Sequence, residues 1–224
     1  MAKKPLPQFI EPMMVSVVRD PFDNTDWIFE TKLDGFRTIS VIDSAAKARI
    51  WSRNHLRLES KFPTIGEAVN ELNLPSTILD GEIVALNEEG IPRFQLLQKM
   101  QKRPTAPVVL YLFDLLWSDA RDITGKTFLQ RRDHLEQIIV TVPGIQVGGY
   151  VENHGIDLFR LAREKGLEGI IAKRKTSICR PRKRSPDGLK IKSRPRSQRN
   201  SRSTVCTFSR QTLAIDAAGR RRGS

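Results

Sequence analysis

A chain of 224 residues can bury one good core and a small second lobe. Its net charge of +13 is concentrated: from Arg174 onward sixteen Lys/Arg stand against two Asp/Glu, which leaves residues 1–173 near neutral and excludes a uniformly basic domain. Cys179 and Cys206 lack metal-ligand spacing, MAKKPLPQFIEPM lacks a secretory core and no run approaches the ~20 apolar residues of a membrane helix, so a soluble, cytoplasmic chain without zinc, disulfides or membrane contact is expected.

After an irregular, proline-marked start, WIFETKL (27–33) reads as a strand, with Trp27, Phe29 and Leu33 in period-two spacing. Asp34-Gly35 is a turn signal, and FRTISVI (36–42) resumes as a strand, as in a hairpin; KARIWS (47–52) pairs naturally after it. FPTIGEAVNEL (62–72) has helical spacing at Ile65, Ala68, Val69 and Leu72, and Pro75 stops it. TILDGEIVAL (77–86) is a strand, RFQLLQKMQK (93–102) a helix and VVLYLFDLLW (108–117) a buried strand. FLQRRDHLEQIIV (128–140) follows as a helix with Leu129, Leu135 and Ile138 available for one face. GIDLFRLAREKG (155–166) is a helix ended by Gly166, and EGIIAKR (168–174) and GLKIKS (188–193) are strands around a basic loop. Periodicity by itself therefore implies an α+β class.

The run ETKLDGFR sets Lys32 at a strand end beside Asp34 and Arg37. A lysine attacks only as the free amine, so a site that uses one must lower its pKa by burial or by nearby cations. Taken alone, the cluster fits a solvated ion-pair group as well as a nucleophile site. Downstream, SRNH places Arg53 at a strand end, LDGEIVAL places Glu82 in an apolar strand, and YLFDLLW places Phe113 in another. EGIIAKR contributes Glu168 and Lys173, while LKIK alternates Lys190 and Lys192 with apolar residues, so that a strand puts both ammonium groups on one face.

In this order, KLDGFR, SRNH, DGE, FDLLW, EGIIAKR and LKIK closely resemble the adenylation domain of ATP-dependent DNA ligases, especially bacterial ligases of the end-joining type, from about Glu11 to Lys192. The resemblance implies antiparallel sheets flanked by helices, an ATP-grasp-like nucleotidyltransferase domain with the nucleotide between the sheets. It implies Lys32 as the nucleophile that takes AMP from ATP, with Asp34 beside it among the nucleotide-binding residues and Glu30 helping to recognise adenine. Phe113 would stack on the base, and Arg37 and Arg53 would hold ribose or phosphates. Lys173 would approach the phosphates, while Lys190 and Lys192 would offset charge at the α-phosphate. Glu82 would contact ribose or metal, and Glu168 the metal side, with Mg²⁺ or Mn²⁺ as the cation.

The implied partner is nicked or broken double-stranded DNA, in repair or recombination. Residues 1–194 are expected to form the adenylation domain and 195–224 a basic, disordered tail. The 32 residues after Lys192 are too few for the oligonucleotide-binding barrel usual in the family, so the expectation is either a truncated ligase of low activity or a minimal one whose clamp a DNA end-binding protein supplies. Gly188 and Arg182 also depart from the family pattern, where an aromatic and a glycine are usual. An RNA ligase or capping-type enzyme and a catalytically silent nucleic-acid-binding remnant are the alternative readings.

Overall fold

The computed structural model describes residues 4–99 and 106–193, and the expected basic tail lies outside them. The architecture is α+β and rests on two sheets. In the first, β1 (Met14–Val18), β11 (Arg184–Lys192), β10 (Gly169–Arg174), β2 (Trp27–Thr31) and β9 (Tyr150–Glu152) lie side by side in that order. The second runs β4 (Ala48–Ser52), β3 (Phe36–Ile42), β5 (Thr77–Ala85), β6 (Val108–Ser118) and β7 (Arg121–Asp122), with β8 (Ile145–Val147) on β6. Pairings are antiparallel except β1 with β11 and β6 with β8.

The expected hairpin around Asp34-Gly35 is not one. β2 pairs with β10 and β9, whereas β3 pairs with β4 and β5, so residues 32–35 carry the chain from one sheet to the other. Gly35 permits the crossing: a Cβ there would sit 2.2 Å from the Ile83 carbonyl oxygen.

Helices α1 (Pro63–Glu71), α2 (Phe94–Lys99) and α3 (Phe128–Ile138) accompany the second sheet, and α4 (Gly155–Glu164) covers the first. α1 buries Ile65, Ala68 and Val69, with Leu72 just past its end, which is the face its spacing predicts. α3 starts on a capping box, Thr127 accepting from the Gln130 N–H while the Gln130 side chain accepts from the Thr127 N–H. Its inward side holds Leu135 but also Arg131 and Arg132, the latter two 0% and 1% exposed. The N-terminal segment supplies Leu6, Phe9, Ile10 and Met13 to the opposite face of the second sheet, against Ile39, Val41, Ile78 and Leu116.

β1, β7, β8 and β9 escape sequence reading because they are five residues or fewer and are held by distant partners rather than by local pattern. The basic loop is also shorter than expected: β10 ends at Arg174 as read, but β11 begins at Arg184 rather than at Gly188. The departure at Gly188 has a local fit: a Cβ there would lie 2.8 Å from Val15 Cγ1, so β1 occupies the space a larger side chain would need.

Candidate functional site

Lys32 stands where the chain leaves the first sheet. Its backbone N–H donates to the Gly169 carbonyl at 2.9 Å, and its ammonium donates to Glu168 Oε2. Glu168 is held there because Gly169 has φ +142° and lies against β11, where a Cβ would come 2.0 Å from the Ile191 carbonyl oxygen. Ser193 N–H closes the end of β11 onto the Glu168 carbonyl at 2.9 Å. Lys192 Nζ reaches Glu168 Oε1 at 3.6 Å, and burial together with Lys192 and Lys32 holds the Lys190 ammonium below its ordinary value. One carboxylate is thus surrounded by the ammonium groups that LKIK and KLDG supply.

Glu82 faces the same crossing from β5. Its Oε1 accepts from the Gly35 N–H at 3.1 Å, and burial pushes its carboxyl up to about 7, against the opposing pull of Arg37 and Lys32. Arg37, directly across the β3–β5 ladder from Glu82, sends its fork to Asp80: Nε to Oδ1 at 2.9 Å and Nη2 to Oδ2 at 2.6 Å. Burial opposes that charge, but Asp80 outweighs it and raises the guanidinium pKa.

Phe113 owes its position to a β-bulge. Leu112 pairs with Gly81 and Asp114 with Asp80, which leaves Phe113 as the extra residue of β6. Its ring lies under two cations, Lys173 Nζ at 4.5 Å from the centroid and the Arg37 guanidinium at 5.1 Å. Lys173 lies inside the domain: burial lowers its pKa, and its ammonium is 2.7 Å from Oε2 of Glu30, itself only 7% exposed.

The fold therefore brings Lys32, Glu82, Glu168, Lys190 and Lys192 around the crossing, and links Glu30, Lys173, Phe113 and Arg37 in one run of contacts. Arg53 is exposed beyond β4, and its backbone N–H donates to the Arg37 carbonyl at 3.2 Å while its side chain makes no hydrogen bond or ion pair among the described residues. Asp34 is half-buried, likewise without such a partner among them. Sequence reasoning missed Asp80, Asp114, Arg131 and Arg132. The signals were present in DGE, FDLLW and the Arg-Arg pair of FLQRRDHL, but nothing in a helical pattern announces that two arginines point inward.

No cluster of three or more His, Cys, Asp or Glu able to hold a metal occurs among the described residues. Glu82 nevertheless suits a hard cation: it is a largely desolvated carboxylate with one backbone donor, and its neighbour across Lys32 is a second carboxylate. Mg²⁺ uses few protein oxygens and completes its shell with water and phosphate, which fits so sparse a donor set.

A family model for the ATP dependent DNA ligase domain matches residues 11–192. The chain is 32% identical over 187 residues to the SPbeta prophage-derived DNA ligase-like protein LigB of Bacillus subtilis strain 168, covering 82% of this chain and 67% of LigB. It is 35% identical over 193 residues to the multifunctional non-homologous end joining protein LigD of Pseudomonas aeruginosa, covering 85% of this chain and 23% of LigD. Among solved structures, a mycobacterial DNA ligase D complexed with ATP and MES superposes with a TM-score of 0.68 at 27% identity, covering 81% of this chain and 60% of that one.

Proposed function

We propose that this chain, which belongs to the ATP-dependent DNA ligase domain family, takes AMP from ATP onto Lys32 and passes it to a 5′-phosphate in nicked or broken double-stranded DNA. The observation that supports this best is the placement of Lys32 at the crossing between the sheets, with Glu168 on its amine and Lys190 and Lys192 on the same side. In the first step the free amine attacks the α-phosphorus; a nitrogen–phosphorus bond forms, the bond to the β-phosphate oxygen breaks and pyrophosphate leaves. Glu168, already hydrogen-bonded to Nζ, is placed to accept the proton that the amine gives up. Lys190 and Lys192 offset the charge that grows on the α-phosphate oxygens. In the second step an oxygen of the DNA 5′-phosphate displaces Lys32, and in the third the adjoining 3′-hydroxyl displaces AMP and closes the strand.

Phe113 offers its ring to the base, and Glu30 and Lys173 offer it polar edges, on this reading. Glu82 and Glu168 would hold Mg²⁺ or Mn²⁺. When bound, such an ion supplies positive charge to the phosphates and orients them. Residues 1–194 form the adenylating unit. Residues 195–224, with seven arginines against one aspartate, add sequence-indifferent attraction for the DNA backbone, and a DNA end-binding protein would complete the grip.

Mass spectrometry of the purified protein before and after ATP and Mg²⁺ tests the chemistry: one AMP should be gained, and none with GTP. No adduct with ATP, or an equal one with GTP, overturns the reading. The adduct should also form faster as pH rises through about 7, because Glu82 is charged only above that value in the unliganded protein. The sign for stability is opposite. Since its folded pKa lies above the unfolded 4.5, Glu82 stabilises the free protein fully below pH 4.5, and that contribution is lost as pH passes about 7. Mg²⁺ should therefore raise the melting temperature more at pH 8 than at about pH 6, and equal shifts would remove Glu82 from the cation site.

DNA binding has its own expectation. Affinity for a nicked duplex, read by fluorescence anisotropy, should fall with salt at a log–log slope near −0.9 per phosphate neutralised, and removal of residues 196–224 should make that slope shallower. A slope unchanged by the deletion assigns the grip elsewhere.

A further inference from the structure

Arg132 lies in α3, outside every motif that marks the site, yet its side chain is 1% exposed and its guanidinium reaches Glu30. A buried charge persists only where partners compensate it. Nε donates to Glu136 Oε1 at 2.9 Å, and Nη2 donates to the Gly148 carbonyl between β8 and β9. The Tyr150 ring lies 5.4 Å away. These contacts fix the plane of the group, and they leave Nη1 aimed at Glu30 Oε1, 3.7 Å distant and without a hydrogen bond.

Glu30 is therefore clamped between cations from two elements: Arg132 behind Oε1 and Lys173, from β10, against Oε2. Glu30 Oε1 and Arg132 Nη1 are both buried without a hydrogen-bond partner in this structure. Buried polar atoms of this kind are rare in the absence of a ligand that satisfies them. A carboxylate oxygen only accepts, so the ligand must bring a donor to Oε1.

We infer that Arg132 is a positioning residue for nucleotide choice: it holds Glu30 so that Oε1 accepts from the exocyclic amine of adenine and rejects a base with a carbonyl oxygen at that place. The inference rests on the proposed reading that ATP binds at this site. Arginine suits the task because one planar fork meets Gly148, Glu136 and Glu30 in three fixed directions, which a lysine cannot do.

The test is equilibrium binding by titration calorimetry to the Lys32→Ala protein, with Mg²⁺ and either ATP or purine riboside triphosphate, which lacks only the amine. In this background the analogue should bind about tenfold or more weakly than ATP, because it leaves Glu30 unpaired. Adding Arg132→Gln should weaken ATP by about tenfold and the analogue by less than about twofold, so that the preference collapses. Arg132→Lys should restore part of it, and it carries the test if Arg132→Gln fails to fold, with melting curves as the control. Equal binding of ATP and the analogue by the Lys32→Ala protein, or a preference unaltered by either Arg132 variant, overturns the assignment. Binding is read here without covalent chemistry, so a protein that forms no lysyl adduct but shows this preference refutes the proposed reaction and leaves the role of Arg132 standing.

Discussion

Lys32→Ala should give no AMP adduct at all, and Lys32→Arg should fail equally, because a guanidinium stays protonated and offers no lone pair to phosphorus. The contrast separates nucleophile from cation. If Lys32 served only to attract phosphate, arginine would substitute for it and labelling would survive. Both variants should melt close to the parent, since the Lys32 side chain is only partly buried and its ion pair with Glu168 is open to water. Undiminished labelling of either one would sink the assignment.

Asp114→Ala should be the most destabilising single change considered, at about 3–5 kcal/mol, or a fall of roughly 10 °C in melting temperature. Arg131 is fully buried, and its Nε and Nη2 each donate to an Asp114 oxygen at 2.8 Å while Nη1 donates to the Lys126 carbonyl at 2.7 Å. Removing the carboxylate strands that charge. The remaining nearby carboxylate, Asp80, is already engaged by both donors of the Arg37 fork. The double variant Asp114→Ala/Arg131→Met should lose less than the sum of its single changes, because an apolar pair requires no compensation. Strict additivity in denaturant titrations would mean that the two side chains do not act as a pair. Activity should fall along with stability in Asp114→Ala, since Asp114 neighbours the bulge that presents Phe113.

Much of the candidate site was legible from residue order. KLDGFR, DGE, EGIIAKR and LKIK single out Lys32, Glu82, Glu168, Lys190 and Lys192, and the structure gathers those side chains around one crossing. The face of α1 was equally legible, because burial of Ile65, Ala68 and Val69 follows from helical spacing alone. Such readings succeed where a local period, or a run of residue types along one segment, carries the information.

Partnership across the chain carried no such trace. Period-two spacing says which face of a strand is apolar and nothing about which strand lies beside it, so β2 and β3 read as a hairpin although they belong to different sheets. The same limit hid β1, whose register with β11 spans most of the chain, and the bulge that turns Phe113 toward Lys173 and Arg37. It also hid the inward arginines of α3. A charged side chain is buried only when counter-charges converge on it from other segments: Asp114 from β6 for Arg131, Glu30 from β2 for Arg132. The residue types along the chain thus disclose the chemistry available, whereas the meeting of β2, β10 and α3 at Glu30 follows from long-range packing, which no local pattern records.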